Sequence, residues 1–348
     1  MRVALIAPPF IAVPPKRYGG TELFIAELAH GLQRQGVDVI VYTNGESTVD
    51  APRRWIYPEG EWPLRQEVEA SLKGLNHFAW AIREASEEVD LIHVNSAPGM
   101  SFSRFTDVPM VYTVHHAFDP SLAEFYQSYP NIFYVTISDF QRRKLSMPDM
   151  RTIHHGIDPS LYAVPDGKRE YLSFLGRIAP PKGTHLAIEI ARKSGIPLKI
   201  AGEVQPINKD YWETMVKPHV DGKFIEYVGE VGMEEKVELL GKSRAMLFPV
   251  QWDEPFGLVM IEAMACGAPV LAMPGGSVGE VIKEGVSGNV RKTTNELAEC
   301  ARNLEIQASI VRGYMEEFFS VERMTQEYIR LYSEILRDGV AEREQIVA

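Results

Sequence analysis

Ten short segments of this chain are apolar and rich in β-branched residues, and helical patterns separate them from end to end. A strand without polar alternation is buried on both faces, as in a parallel sheet that helices cover on each side. The predicted strands are residues 2–7, 37–42, 89–94, 110–114, 133–137, 171–175, 198–201, 224–228, 245–249 and 269–273. The sequence therefore predicts an α/β fold built on parallel sheets.

The alternation of strands and helices occurs twice, and residues 154–169 between the two halves break both periodicities with glycines and prolines. A chain of 348 residues is long enough for two ordinary domains. We therefore expect an N-terminal Rossmann-like domain at 1–160 and a C-terminal one at 161–320. Apolar residues at helical spacing predict a final helix within 321–348.

The composition excludes several classes of protein. The apolar fraction of 45% supports a substantial core, and the net charge of −11 argues against nucleic-acid binding and allows at most peripheral membrane contact. Two cysteines do not suggest a disulfide scaffold. The N-terminal apolar run stops at Pro8 and Pro9, and no run approaches the roughly 18 residues of a membrane span. We expect a cytoplasmic protein, either a monomer or a homodimer.

The segment from Glu254 to Glu262 places two carboxylates around the start of a predicted helix. Pro255 suits the first helical position, because its missing N–H would be unpaired there anyway. The amides that would then point toward an anion or a sugar hydroxyl are those of Phe256, Gly257 and Leu258. The two carboxylates would lie about 10–12 Å apart by helix rise, which suits hydroxyls at opposite ends of one long ligand. The alternative is two solvated surface glutamates, but Glu262 lies in an otherwise apolar run, and a carboxylate buried there would need a partner.

Arg177 and Lys182 lie between a predicted strand and the next helix, at the sheet edge where ligands bind. Two cations at this edge could hold a diphosphate without a metal ion, the arginine by its fork geometry and the lysine as a point charge. For an isolated pair, two solvated loop cations are an equally good interpretation. The neighbouring pair of glutamates favours the diphosphate site.

Two further features belong to the first half. Gly19 and Gly20 precede the first helix and could bring main-chain amides against a phosphate or a sugar, although a flexible turn is the alternative. His115 ends the fourth predicted strand at the ligand edge, where a buried structural histidine is the alternative. The sequence has no Asp-x-Asp motif and no metal-ligand spacing, so we expect neither a metal nor another cofactor.

Together these residues resemble the family 4 retaining glycosyltransferases, which have the GT-B fold. The most specific element is the Glu254-x₇-Glu262 pattern, followed by Gly176-Arg177 with Lys182-Gly183, and by residues 155–158, in which His155 replaces the usual Asn. The resemblance covers nearly the whole chain. It implies two Rossmann-like domains that face each other across a deep cleft, with a C-terminal helix that crosses back to the N-terminal domain.

The resemblance also implies roles for single residues. Glu262 would bind the donor ribose, Glu254 the transferred sugar, and Arg177 and Lys182 the diphosphate. The remaining contacts to the donor would come from Gly19, Gly20, His115, Gly202, Glu203, Val228 and Gly229. The implied reaction moves a hexose from a nucleoside-diphosphate sugar to an acceptor and keeps the anomeric configuration.

Other functions remain open at this stage. A sugar-nucleotide epimerase would share the architecture, a phosphorylase would require pyridoxal phosphate, and a non-catalytic donor-binding subunit would carry no reaction. The acceptor could be a glycan, a lipid-linked sugar or a small molecule, and the residues Lys16, Arg17 and Tyr18 hint at an anionic or sugar-bearing one. The sequence does not distinguish UDP, GDP and ADP donors.

Overall fold

The computed structural model describes residues 1–17, 19–64, 67–145, 147, 149–165 and 167–347, with the side chains of residue 67 and residues 338–347 left aside. The chain divides into two compact units. The first comprises residues 1–15, 19–156 and 321–347, so the end of the chain belongs with its beginning. The second comprises residues 157–320 together with Lys16 and Arg17.

Within its described residues the first unit has a seven-stranded parallel sheet of order β3-β2-β1-β4-β5-β6-β7. The strands β1 to β7 are Arg2–Ile6, Asp38–Tyr42, Arg53–Arg54, Leu91–Val94, Met110–Val114, Phe133–Thr136 and Met150–Thr152. The main helices are Gly20–Arg34, Glu67–Ser86, Pro120–Gln127 and Asp139–Lys144, with shorter turns at Ala97–Met100 and Ser101–Phe105. The strand order reverses direction between β1 and β4, which makes their carboxyl ends the switch point of this sheet.

The long C-terminal helix Val321–Val347 packs on the first unit. Gly31 of helix Gly20–Arg34 permits this contact, because a Cβ atom there would lie 2.1 Å from Thr325 Oγ1. Two tyrosines of the helix reach the sheet: the Tyr332 hydroxyl lies 2.7 Å from His93 Nδ1, and the Tyr328 hydroxyl lies 2.9 Å from Thr113 Oγ1. The helix thus shares the core of the first unit.

The second unit repeats the arrangement, with a six-stranded parallel sheet of order β10-β9-β8-β11-β12-β13 in the described part of the chain. The strands β8 to β13 are Tyr171–Leu175, Leu198–Ala201, Ile225–Gly229, Ser243–Phe248, Val270–Ala272 and Gly288–Val290. Its main helices are Thr184–Ser194, Met233–Gly241, Leu258–Ala265, Thr294–Arg302 and Ala308–Phe319. Shorter turns are Pro159–Leu161, Pro180–Lys182, Pro206–Asn208, Lys209–Tyr211, Trp212–Val216, Lys217–His219 and Val278–Val281. Here β8 and β11 flank the switch point.

All ten predicted strands are present, each within two residues of its predicted ends. The strands that the sequence did not reveal are β3, β7 and β13. All three lie at sheet edges, and the two residues of β3 are exposed arginines. An edge strand lacks one neighbour and can be short and polar, so the apolar pattern that predicts central strands does not detect it. No helix in the described residues is both long and apolar enough to cross a bilayer.

Candidate functional site

The structure joins Lys182 and Glu254, two residues that lie 72 positions apart in the sequence. Lys182 lies on the loop after β8 and Glu254 on the loop after β11, the two strands at the switch point of the second sheet. The Lys182 Nζ atom lies 2.6 Å from Glu254 Oε2, and both side chains are largely buried. Two of the residues predicted from the sequence therefore meet at the ligand edge of this sheet.

A tryptophan contacts both members of this pair. The indole Nε1–H of Trp252 donates to Glu254 Oε2 over 2.8 Å, and the Lys182 ammonium lies 4.8 Å from the centre of a Trp252 ring. We call these three side chains the Lys182–Trp252–Glu254 triad. Trp252 was missed by the sequence analysis, although it stands two positions before a residue that the analysis selected.

The loop that carries Lys182 is held against the loop after β11. The amide of Gln251 donates to the carbonyl of Pro181 over 2.7 Å. Gly183 adopts a left-handed conformation with φ of 74°, and a Cβ atom there would lie 2.1 Å from the carbonyl oxygen of Pro249. Only glycine lets the two backbones approach so closely. This approach brings Lys182 to Glu254.

Gly183→Ala is expected to lower the free energy of unfolding more than Gly195→Ala, which is a matched control. Gly195 ends the helix that Gly183 begins and has nearly the same φ, 72°, but nothing lies within 4 Å of its Cβ position. The control should cost only the left-handed strain, about 1–2 kcal/mol, and Gly183→Ala about 1–3 kcal/mol more for the collision. Urea unfolding of both variants measures the difference, and equal losses would contradict a close approach at Gly183.

The backbone around Glu254 is fixed from a second side by the loop after β12. The amide of Ser277 donates to the Glu254 carbonyl, and the Ser277 hydroxyl donates to the Phe256 carbonyl, each over 2.9 Å. Gly276 lies so close that a Cβ atom would be 2.1 Å from the Glu254 carbonyl oxygen. The Glu254 side chain therefore rests on a backbone that two loops hold.

The prediction that Pro255 begins a helix is wrong. The helix starts at Leu258, and its N-cap is Gly257 in a left-handed conformation with φ of 83°. The glycine bends the chain between Glu254 and the helix, which a left-handed residue does at little cost only when it has no Cβ. Phe256 is buried and its ring packs edge-on against Phe319, so this side chain belongs to the core.

Glu262 lies in the second turn of that helix and is buried, as its apolar surroundings predicted. The Tyr162 hydroxyl donates to Glu262 Oε1 over 3.0 Å, and the Lys236 ammonium forms an ion pair with the same oxygen. A buried carboxylate requires such partners, because its charge loses the water that would otherwise solvate it. Sequence reasoning indicated that partners must exist but did not identify Lys236 or Tyr162.

Arg312 anchors the segment that carries Tyr162. Its guanidinium donates to the carbonyls of Tyr162 and Pro159 over 2.6 and 2.7 Å, and also to the carbonyl of Ala265. The last of these lies at the end of the helix that carries Glu262. One arginine thus fixes the Tyr162 segment to the Glu262 helix.

The remaining predicted residues of the second unit lie on neighbouring strand ends. Arg177 follows β8, and its guanidinium is 3.5 Å from the Gln205 side-chain oxygen, while the Gln205 amide donates to Glu203 over 3.1 Å. Gly202 follows β9, and its amide donates to the Gly229 carbonyl over 2.9 Å. A Cβ atom on Gly202 would lie 1.8 Å from the carbonyl oxygen of Gly176. Val228 is partly exposed at the end of β10.

His115 lies in the first unit at the end of β5, half-buried. Its Nε2 atom is 2.9 Å from the Asn95 side-chain oxygen, and its ring stacks on that of His155 at 5.6 Å. The ring of Phe24 lies 4.8 Å from that of His115. Burial, with a smaller effect of the His116 charge, lowers the pKa of His115 to about 3, so this imidazole is neutral at ordinary pH.

The glycine loop also belongs to the first unit. Gly19 has φ of 151° and is the N-cap of the first helix, which begins at Gly20. Glu22 is buried beside it, and burial raises the pKa of this carboxyl to about 7. Tyr18 lies outside the described residues.

Two family models match this chain. Residues 18–161 match the model described as Glycosyltransferase Family 4, and residues 163–306 match the model described as Glycosyl transferases group 1. The two matches meet near the boundary between the two units. The chain belongs to glycosyltransferase family 4.

Solved structures share the fold of this family 4 glycosyltransferase. A sucrose-phosphate synthase from Thermosynechococcus elongatus is 20% identical, with a TM-score of 0.78 over 97% of this chain and 99% of the other. HepE of Anabaena, crystallised with UDP and glucose, is 18% identical, with a TM-score of 0.75 over 95% and 99%. The predicted GT-B fold is confirmed.

The matches between this family 4 chain and its curated relatives cover a smaller part of each sequence. An uncharacterized glycosyltransferase of Methanocaldococcus jannaschii is 25% identical over 178 residues, which are 49% of this chain and 50% of the relative. A glycogen synthase of Mycobacterium tuberculosis is 29% identical over 158 residues, 44% of this chain and 35% of the relative. The chain thus spans half or less of the length of these curated relatives.

The buried histidines make the stability of this family 4 chain sensitive to acid. Burial lowers the pKa of His77 to about 4 and those of His93 and His115 to about 3, and it lowers the pKa of His155 as well. Each is neutral when folded and gains a proton on unfolding below pH 6.5, which destabilises the fold as the pH falls. Glu22, whose pKa is raised, holds a proton in the folded state and loses it on unfolding. It therefore offsets the effect of one of these histidine protons.

Between pH 6 and pH 5 the free energy of unfolding is therefore expected to fall by roughly 4 kcal/mol, the effect of about three protons. Urea unfolding at several pH values measures this slope. The Nε2–H of His77 donates to the buried carbonyl of Ala7 over 3.0 Å, and His77→Gln should reduce the slope by about 1.4 kcal/mol per pH unit. An unchanged slope in His77→Gln would show that this ring is not held neutral.

Proposed function

We propose that this chain transfers a hexose from a nucleoside-diphosphate sugar to an acceptor, with retention of the anomeric configuration and without a metal ion. The observation that carries the proposal is the contact between the Lys182 ammonium and the Glu254 carboxylate at the carboxyl ends of β8 and β11. Ligands of parallel sheets bind where the strand order reverses. A cation and a carboxylate together at that edge suit a ligand with a diphosphate beside a sugar.

Lys182 can bind the ligand while it remains paired with Glu254. An ammonium group has three N–H donors, and the ion pair with Glu254 occupies one of them. The others can bind the diphosphate, which carries increasing negative charge as its bond to the sugar breaks. Stabilising such charge is usually the largest single contribution to catalysis. Arg177 on the same loop would share this role.

Glu254 would bind the sugar. Both contacts that the described residues make with this carboxylate use Oε2, to which Lys182 and Trp252 donate. Oε1 would therefore accept hydrogen bonds from hydroxyls of the transferred hexose. Glu262 would accept from the ribose hydroxyls, and the neighbourhood of Gly202, Glu203, Val228 and Gly229 would border the base. The roles of Gly19, Gly20 and His115 toward the donor stay predictions from the resemblance.

The proposed reaction takes place on one face of the sugar. The bond between the anomeric carbon and the phosphate oxygen breaks, and the acceptor oxygen bonds to the same carbon from the same side. A phosphate oxygen of the departing diphosphate accepts the proton of the acceptor hydroxyl. Among the solved relatives, HepE has been crystallised with UDP-glucose, which supports a sugar nucleotide as the donor here.

Calorimetric titration with UDP-, GDP- and ADP-sugars tests the proposal. We expect one sugar nucleotide to bind, and its nucleoside diphosphate to be released when a suitable acceptor is added. NMR of the product then gives the anomeric configuration. Release of an isomeric free hexose without an acceptor would indicate an epimerase instead. If no sugar nucleotide binds at millimolar concentration, the proposal is wrong.

A further inference from the structure

Trp252 is held in place by contacts of its backbone. Its carbonyl accepts a hydrogen bond from the Glu254 amide over 3.0 Å. Gly275 approaches the same carbonyl so closely that a Cβ atom would lie 2.6 Å from the oxygen. The preceding residue, Gln251, is bound to the Pro181 carbonyl. The backbone of Trp252 is thus fixed between the loops after β8 and β12.

The side chain of Trp252 contacts both charged members of the Lys182–Trp252–Glu254 triad. Its indole N–H donates to the same oxygen of Glu254 that Lys182 binds, and a face of its ring lies under the Lys182 ammonium. An indole is rigid and has one N–H donor, so this hydrogen bond fixes a direction for the carboxylate. The ring face attracts the ammonium as well. One side chain therefore orients both a cation and the anion with which that cation is paired.

This orientation matters because a lysine side chain is long and flexible. An ammonium contributes to transition-state stabilisation only where it is already directed toward the developing charge, since reorientation during the reaction costs free energy. In the absence of the indole, Lys182 and Glu254 could still pair, but the pair would be free to rotate as a unit. A pair that rotates would still attract a diphosphate. It would spend a smaller part of the time in the orientation that stabilises the transition state.

We propose that Trp252 is a positioning residue that sets the directions of the Lys182 ammonium and the Glu254 carboxylate for sugar transfer. The inference rests on the proposed function of the same site. It predicts that Trp252 affects turnover more than donor binding, because its partners remain charged and present in its absence. Substitution of a residue that only supports the fold, or only adds contact area with the donor, would not lower turnover while leaving donor binding nearly unchanged.

Trp252→Phe and Trp252→Leu separate the two contacts of the indole. Phenylalanine keeps an aromatic face for Lys182 but loses the N–H, so kcat should fall about tenfold, the scale of one hydrogen bond to a charged group. Leucine loses both contacts, and kcat should fall roughly a further threefold to tenfold. The KM for the donor should change less than threefold in both variants. Trp80→Phe replaces a half-buried tryptophan of the first unit, packed on Tyr42, and serves as the control with wild-type kinetics.

A double-mutant cycle with Lys182 provides the second readout. In a Lys182→Ala background Trp252→Leu and Trp252→Phe should lower kcat equally, to within about twofold, because the ammonium that the aromatic face attracts is gone. A wild-type kcat in Trp252→Phe, or a rise in donor KM that matches the loss of kcat, would overturn the inference and leave the proposed function intact. Failure of the proposed function itself would be seen earlier, as a wild-type protein without transfer activity.

Discussion

Lys182→Ala is expected to lower turnover by about 10²–10³, the usual loss when one preorganised stabiliser of developing charge is removed. Lys182 is the cation that the structure places at the switch-point edge in contact with Glu254. In the variant the departing diphosphate loses this charge, and Glu254 loses one of the two donors that hold its carboxylate in place. Steady-state kinetics with the donor identified by titration measures the effect.

Lys193→Ala is the matched control for this loss. Lys193 is also a lysine of the second unit and is also paired with a glutamate, Glu189, but its side chain is 38% exposed on the surface of a helix. Surface ion pairs contribute little, so its turnover should stay within about twofold of the wild type. Equal turnover in Lys182→Ala and Lys193→Ala would refute the leaving-group role of Lys182.

The second large effect concerns the buried pair of Glu262 and Lys236. Glu262→Ala leaves the Lys236 ammonium, whose side chain is only 15% exposed, without its anionic partner. Removal of one member of a buried ion pair typically lowers the free energy of unfolding by about 3–5 kcal/mol. Replacement of both members by apolar residues of similar size is often neutral. The double variant Lys236→Met with Glu262→Leu should therefore lose only about 1–3 kcal/mol in urea unfolding, for the buried Tyr162 hydroxyl left without this acceptor.

This double variant separates the structural role of Glu262 from the proposed contact with the donor. If Glu262 binds the ribose hydroxyls, the folded double variant should bind the donor about 10–100-fold more weakly, since a lost hydrogen bond to a charged group is worth about 1.5–3 kcal/mol. Calorimetric titration of the double variant provides the measurement. Unchanged donor affinity in a folded double variant would mean that Glu262 serves the core alone.

The central strands of both sheets could be predicted from sequence because burial on both faces requires uninterrupted apolar runs, as in β8 and β11. The loop positions of Lys182 and Glu254 followed from the strand ends. The contact between Lys182 and Glu254 could not be derived, because it depends on the close approach of Gly183 to Pro249. No sequence pattern around Gly183 or Pro249 indicates that these two residues meet. The sequence thus indicated that Lys182 and Glu254 belong to one site, and only the tertiary structure shows that they are in contact.

The residues that were missed have a common cause. Lys236 and Tyr162 contact Glu262 from 26 and 100 positions away, so no motif spacing connects them. Trp252 was close in sequence, but an isolated tryptophan before a helix gives no sign that its N–H has a carboxylate to bind. The wrong start of the Glu262 helix had a local cause: Pro255 fits a first helical position, and the left-handed turn at Gly257 displaced that start by three residues.

The most direct test is a structure of the protein bound to the sugar nucleotide that the titration identifies. The account predicts diphosphate oxygens within roughly 2.7–3.2 Å of Lys182 Nζ and a hydroxyl of the sugar at the same distance from Glu254. A diphosphate bound elsewhere, with Lys182 and Glu254 still in contact only with each other and with Trp252, would contradict it.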